Sequence, residues 1–442
     1  HVELAQLKRH ILADVRTVSR RLQSEGPGFI TLTTPLYSKH ILACLEVGSY
    51  TPFPGLRLRK GSILPCFLHG WLVRIFDSTT GYVLDSVDPL ALRAVRQLTV
   101  LASKAKVLPP LSVCRKAFQK YERMDHGIDQ ESLWSTSIST FGYTPSTMDQ
   151  HFTVDQRWGS IDGLGRLFLA SARAIGAELD RWYCDSYPSR GTSRPMGELR
   201  PKHGPGAVSE RFDDDGKWRA VARHPHHNLS THFPHYWLPS LEGNDLEHRG
   251  GLCQDHPPSR LIAVPKTSTT PRLIAAEPVA NQFWQQALNR VMNEAFNRTW
   301  LSGSINLRDQ ERSQRLARLG SQDQSYGTID LSAASDSVTL DHVGALFQHD
   351  SLLLDGILSS RTERMHIPSI GVIRLRKFAS MGSAVCFPVE TAVFLAAVAA
   401  SIMRQLDQAF TSDGLRSICR DITVYGDDII APTRYIPGIL QD

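Results

Sequence analysis

Asp427 and Asp428 stand side by side in the run Asp421-Ile-Thr-Val-Tyr-Gly-Asp-Asp-Ile-Ile-Ala431, and a third carboxylate, Asp330, closes the short run Tyr326-Gly-Thr-Ile-Asp330. Joining a nucleotide to a growing strand needs the attacking 3′-oxygen deprotonated, the bridging phosphate neutralised and pyrophosphate released in line. Two divalent ions roughly 3.5–4 Å apart serve all three needs. Magnesium takes carboxylate oxygens and keeps water and substrate phosphate in its other positions, and manganese accepts the same ligands. The expected cofactor is therefore a pair of Mg2+ ions, replaceable by Mn2+, on Asp330, Asp427 and Asp428. On a tight hairpin at least one of Asp427 and Asp428 can point into a site shared with Asp330. At the hairpin tip, Tyr425 and Gly426 would meet a primer end, Gly426 by letting the backbone approach. Gly-Asp is also a common turn pair, so the other pieces decide the reading.

Asp336 follows Asp330 by six residues in Asp330-Leu-Ser-Ala-Ala-Ser-Asp336. It could accept a hydrogen bond from a nucleotide's 2′-hydroxyl, or it could serve as a helix N-terminal carboxylate ahead of Val338–Phe347. Arg260-Leu-Ile-Ala-Val-Pro-Lys266 and Arg272-Leu-Ile-Ala-Ala-Glu277 read as two apolar arms of a basic hairpin. Lys266 supplies a compact charge and Arg260 and Arg272 forked donors, a set suited to an incoming triphosphate. Salt-bridged surface residues on an edge hairpin are the plainer alternative. Ala379-Ser-Met-Gly-Ser383 is a small-residue loop in which Ser380 and Gly382 would border the nucleotide.

These groups need elements to hold them. Leu4, Leu7, Ile11, Leu12, Val15, Val18 and Leu22 recur at helical spacing. Prolines at 27, 35, 52, 54 and 65 then restrict residues 25–85 to short helices and loops. Phe283, Trp284, Leu288, Val291, Met292 and Phe296 give Asn281–Asn297 a helical rhythm, and Asp309 is a candidate cap for a helix running to Leu319. The apolar stretch Thr391–Met403 is too short to cross a bilayer and reads as a buried helix. Residues 185–260 are loop-dominated; Cys253 and His256 have metal-like spacing there, without a second pair to complete a zinc site.

Of the 442 residues, 41% are hydrophobic and 21% charged, which excludes a disordered chain. The net charge of +5 suits a nucleic-acid partner without establishing one. Residues 251–320 concentrate the bias, with nine Lys/Arg against five Asp/Glu. Seven scattered cysteines without a Cys-x-x-Cys pair argue against a disulfide framework and a common zinc module and point to a reducing cytoplasm, and the short apolar stretch Thr391–Met403 leaves no membrane partner expected.

Taken in order, the pieces resemble the motifs of RNA-dependent RNA polymerases, and their wording is similar to the replicases of single-stranded RNA bacteriophages, the leviviruses. The resemblance rests on Val264-Pro-Lys266 with Arg272, Ile274-Ala-Ala-Glu-Pro278, Ile305-Asn-Leu307 with Asp309-Gln310, Asp330-Leu-Ser-Ala-Ala-Ser-Asp-Ser337, Met381-Gly382, Val424-Tyr-Gly-Asp-Asp-Ile-Ile430 and the Gly204-Pro-Gly206 loop. It covers roughly residues 200–432. It implies an α+β right-hand polymerase with an antiparallel palm sheet packed on helices, copying a viral positive-strand RNA genome from ribonucleoside triphosphates in the bacterial host cytoplasm. The expected parts are an N-terminal region with part of the fingers (1–200), fingers with the basic hairpin (201–322), palm (323–345), a fingers and palm insertion (346–378) and palm again (379–442). It also implies Asp330 and Asp427 as the chief metal ligands with Asp428 auxiliary, and host elongation factors Tu and Ts and a small-subunit ribosomal protein as partners.

Two departures qualify that likeness. Cys386 and Glu390 stand where many viral RNA polymerases carry Thr and Asn, which puts the nucleotide contact at 386 in doubt. Only fourteen residues (429–442) follow Asp428, so a truncated thumb and weak polymerisation are expected. The rival readings are a polymerase-derived RNA-binding scaffold without catalysis and the replicase of a related capsidless narnavirus-like or mitovirus-like element. A reverse transcriptase is disfavoured by Gly426, where that class usually has a hydrophobic residue.

Overall fold

The computed structural model describes residues 2–103, 105, 110–128, 163–186, 199–212, 216–217, 257–266, 270–347 and 351–442. The Cys253/His256 pair lies outside them. The chain is a mixture of helices and two small sheets, and it divides into two compact units.

The first unit comprises His1–Ala117 and Ala263–Leu273. Helix α1 (Val2–Glu25) forms where the spacing predicts one, with Ile11, Leu12 and Val15 of its apolar positions exposed. Helix α2 (Thr34–Val47) opens with Pro35 in its first turn, where the missing N–H costs no helical bond. Helix α3 (Pro89–Val100) is capped by the Asp88 carboxylate, which accepts the N–H groups of Leu90 and Ala91. Between them the chain runs in turns and short helical pieces, as the proline spacing predicts. Phe29, Tyr37, Ile41, Leu64, Leu72, Phe76, Ala91 and Val95 form the core. Asp14 is buried beside it, accepts the Leu68 N–H at 2.8 Å, and is pushed by burial to a pKa of about 6.

The second unit comprises Phe118–Ile262 and Ile274–Asp442, and includes the last turns of helix α4 (Leu111–His126). At its centre helix α5 (Gly163–Ser186) packs along a long apolar helix, Cys386–Gln405. Strands β1 (Ser259–Val264) and β2 (Arg272–Ala276) are the arms of the basic hairpin. Their base joins β4 (Arg364–Ile367) and β5 (Gly371–Arg374) in a sheet of order β2-β1-β4-β5, with β1 and β4 parallel. Helix α6 (Val279–Arg298) buries Trp284, Leu288, Val291, Met292 and Phe296 on the predicted face. Helix α7 (Glu311–Asp323) starts two residues after Asp309. Gln310 holds the cap position without a side-chain bond, and Asp309 accepts the Glu311 N–H at 3.2 Å. The expected cap is therefore displaced by one residue.

The other sheet is antiparallel, in the order β3-β7-β6: Tyr326–Asp330, Asp428–Pro432 and Thr423–Tyr425. Ile329, Val424, Ile429, Ile430 and Ala431 are buried, while Asp330 and Asp428 at the strand ends are exposed. After β3 come the one-turn helix α8 (Ala334–Ser337), α9 (Leu340–Leu346), α10 (Leu352–Ser359) and then the apolar helix, α11 (Cys386–Gln405), followed by α12 (Ser412–Arg420). Among the described residues α11 is the one helix long and apolar enough to cross a membrane. Here most of it is enclosed by α5, α9, α12 and β6, as a helix apolar on all faces requires.

Candidate active site

The hairpin β6/β7 turns through two residues, Gly426 and Asp427, because Tyr425 pairs with Asp428. Gly426 has φ +61°, and a Cβ there would stand 2.1 Å from Cε2 of Phe387. The turn is pinned on α11: the Gly426 N–H donates to Thr391 Oγ1 at 3.0 Å, and the Phe387 and Tyr425 rings meet edge to face at 5.0 Å. Tyr425 is half-buried.

On the other side of β7, β3 runs in register from Tyr326↔Pro432 to Asp330↔Asp428. Directly opposed residues present their side chains to the same sheet face. The Leu331 N–H continues the ladder to the Asp427 carbonyl at 3.2 Å. Asp330, Asp427 and Asp428 are thus collected at one end of the sheet, and it is Asp428, not Asp427, that lies across from Asp330. Among the described residues no salt bridge reaches any of the three. Burial, then the charges of Asp427 and Asp330, raises the Asp428 pKa above the usual carboxylate value.

Negative charge left without a cationic side chain suits a divalent ion. Among the described residues no group of three or more His, Cys, Asp or Glu is placed to hold a metal ion as the side chains stand. Mg2+ takes one or two carboxylates, with water and substrate phosphate completing its shell, so a site here would draw on these carboxylates singly or in pairs.

Glu390, one turn beyond Cys386 on α11, adds a fourth acidic group. Burial, and next the charge of Asp427, pushes its pKa to about 8, and the Cys386 thiol lies 3.9 Å away. A folded-state pKa raised from the ordinary 4.5 means that stability is fully present below pH 4.5 and is lost as pH climbs towards 8. In EDTA, Glu390→Gln should flatten the fall in melting temperature between pH 5 and 8. The variant should gain on the order of 2 kcal/mol on the wild type across that range.

Asp336 sits in α8, entered through Ala333 in the left-handed region at φ +58°. It is not the cap of the following helix. Thr339 fills that position, in a reciprocal capping box with His342. The Asp336 carboxylate instead receives Lys377 Nζ at 2.7 Å.

Gly382 has φ +122°, and a Cβ there would stand 2.1 Å from the Ala275 carbonyl oxygen, while the neighbouring Met381 carbonyl accepts the Ala275 N–H at 2.7 Å. The loop is therefore seated against β2. Gly382→Ala should cost roughly 2 kcal/mol or more in a denaturant titration. Ser380 is buried, with its hydroxyl engaged by Tyr121 Oη. Arg260, on β1, donates to the Val208 carbonyl at 3.4 Å. Lys266 and Arg272 are exposed and belong to the 263–273 stretch of the first unit.

Residue type and spacing assign no role to Lys377, Tyr121, Asp125 or Arg361, nor to Glu277 at the end of the hairpin arm. Glu277 is buried, which pushes its pKa to about 6, with hydrogen bonds from Thr362 and Gln285 pulling the other way. Arg361, also buried, donates to the carbonyls of Leu375, Lys377 and Phe378.

Residues 250–442, which carry this arrangement, match the family described as RNA replicase, beta-chain. Over 178 residues the chain is 37% identical to the RNA-directed RNA polymerase subunit beta of Enterobacteria phage SP, covering 40% of this chain and 28% of that protein. It is 34% identical over 190 residues to the corresponding subunit of Escherichia virus Qbeta, covering 42% and 29%. With the RNA-directed RNA polymerase beta chain of Escherichia phage MS2 it shares 34% over 181 residues, covering 41% and 30%. The matches thus span under a third of each relative's length.

Proposed function

We propose that the chain is the catalytic part of a phage RNA-directed RNA polymerase, acting on an RNA template in an infected bacterial cell. The reading is carried by three carboxylates gathered at one sheet end, with no salt bridge to them among the described residues, inside the segment matched by the replicase family. The β3-β7-β6 sheet is then the palm. Asp330 and Asp428 project from one face and Asp427 from the turn, and together they would hold divalent ions. Such ions, when bound, neutralise charge on the reacting phosphate and lower the pKa of the attacking 3′-hydroxyl. The protein's own part is placement. The Thr391 bond and the Phe387 ring fix the turn carrying Asp427, and the β3/β7 ladder fixes the other two. Asp336 offers a carboxylate oxygen to the ribose 2′-hydroxyl. The triphosphate contacts assigned to Lys266 and Arg272, and the host translation factors as partners, rest on the family likeness alone.

Fe2+ substituted for Mg2+ in the purified chain, with ascorbate and peroxide, tests the metal site directly. Backbone cleavage is expected near 330 and 427–428, competed away by Mg2+. Cleavage elsewhere, or none, would remove the basis of the proposal.

A further inference from the structure

Lys377 follows β5 in Leu375-Arg-Lys-Phe378, and its side chain is 0% exposed. Its ammonium makes an ion pair with Asp336 Oδ1 at 2.7 Å and lies 3.4 Å from the centroid of the Tyr121 ring. Enclosing an ammonium is expensive, and an apolar side chain would fill the same space without that cost. The backbone under it is clamped as well. The Asp125 carboxylate accepts the N–H groups of Arg376 and Lys377 at 3.1–3.2 Å. Arg361 donates to the carbonyls of Leu375, Lys377 and Phe378 at 2.7–3.0 Å. The Phe378 N–H reaches the Val338 carbonyl at 2.8 Å, two residues beyond Asp336. A lysine mounted so firmly holds whatever it touches. What it touches is one oxygen of a carboxylate that stays 22% exposed and whose other oxygen accepts no hydrogen bond among the described residues.

We propose that Lys377 is a positioning residue that determines sugar specificity: it holds Asp336 by Oδ1 so that Oδ2 accepts a hydrogen bond from the 2′-hydroxyl of a ribonucleotide. The inference rests on reading Asp336 as the ribose acceptor. Without the lysine the carboxylate rotates among its rotamers and the acceptor is no longer presented in one place. A site that has committed a buried polar group to a substrate hydroxyl rejects the analogue lacking it.

The test is competition of ATP and 2′-deoxyATP, with Mg2+, against a nucleotide labelled on its γ-phosphate, bound to the whole 442-residue chain. The wild type is expected to prefer ATP by roughly 10–100-fold, in line with a hydrogen bond to a charged group. Lys377→Met should bring the ratio to within about 3-fold by lowering ATP affinity while leaving 2′-deoxyATP unchanged, a split that simple loosening of the fold does not produce. Asp336→Asn should do the same, and the double variant should lose nothing further. Should Lys377→Met fail to melt cooperatively, Tyr121→Leu, which removes the ring under the ammonium, is read by the same criteria. Loss of preference in Asp336→Asn but not in Lys377→Met overturns the positioning role and leaves Asp336 as the acceptor. Full preference in Asp336→Asn overturns the acceptor reading and the proposal with it. Equal weakening of both nucleotides in Lys377→Met overturns the proposal too, and a wild type that binds neither sinks the polymerase reading itself.

Discussion

Asp427→Asn or Asp330→Asn is expected to lower templated nucleotide incorporation by about 10³-fold or more, roughly 4 kcal/mol of transition-state stabilisation, with RNA affinity unchanged. The readout is incorporation of labelled nucleotide on a primed template beside a filter-binding titration of the same RNA. A scaffold that only binds RNA would pass through the substitution without change, so the two rival readings part here. The same variants have an opposite effect on stability. Asp428 has its pKa raised by burial and by Asp427 and Asp330. Its ionised form therefore opposes folding, and the stability present below the ordinary carboxylate range is lost as pH rises through it. At neutral pH in EDTA, neutralising one neighbour should raise the melting temperature. Mg2+ should raise it in the wild type and do little in either variant. A wild-type melting curve indifferent to Mg2+ would count against the metal site independently of any assay of synthesis.

Gly426→Ala is the second large effect. The added methyl meets two obstacles at once, a left-handed backbone at φ +61° and the edge of Phe387 at 2.1 Å. The left-handed conformation costs roughly 1–2 kcal/mol for a residue with a Cβ, and overpacking about 1–3 more. The melting temperature should fall by roughly 5–15 °C. Because the displaced turn carries Asp427, incorporation should fall by about 10²-fold even at temperatures where the variant is folded. Gly426→Ala with Phe387→Leu should recover part of the stability, since the smaller side chain leaves room for the methyl while the φ penalty remains. Equal losses in the single and double variants would place the whole cost in the backbone.

Helical spacing made α6 and α11 readable in the chain, since an element that buries one face, or all of them, must repeat its apolar residues at that period; α1 forms as its spacing predicts although Ile11, Leu12 and Val15 stay exposed. The hairpin bearing Asp427 and Asp428 was readable for a similar reason: apolar arms flanking a Gly-Asp pair have few other ways to fold. The register was not. Whether Asp330 stands across from Asp427 or Asp428 depends on how β3 slides along β7, and a shift of one residue leaves every local pattern intact. Cap positions were close but displaced, because Asp309 and Gln310 compete for one helix end and Thr339 outbids Asp336 through its bond to the His342 N–H. Lys377 was invisible for a different reason. In Arg374-Leu-Arg-Lys377 it looks like one more surface cation. Only folding brings up Tyr121 and Asp125, some 250 residues earlier, to enclose it.

The pairing of α5 with α11 has a consequence in time. Their facing residues are separated by about 200 positions of chain. At a synthesis rate of roughly 5–20 residues per second, α5 waits about 10–40 s on the ribosome before α11 has been made. Throughout that interval Leu169, Ala172, Ile175 and Leu179, all buried in the finished core, lack that covering partner. The second unit therefore closes late in synthesis, and a nascent chain stalled before residue 386 should bind a hydrophobic-patch dye that the completed protein excludes.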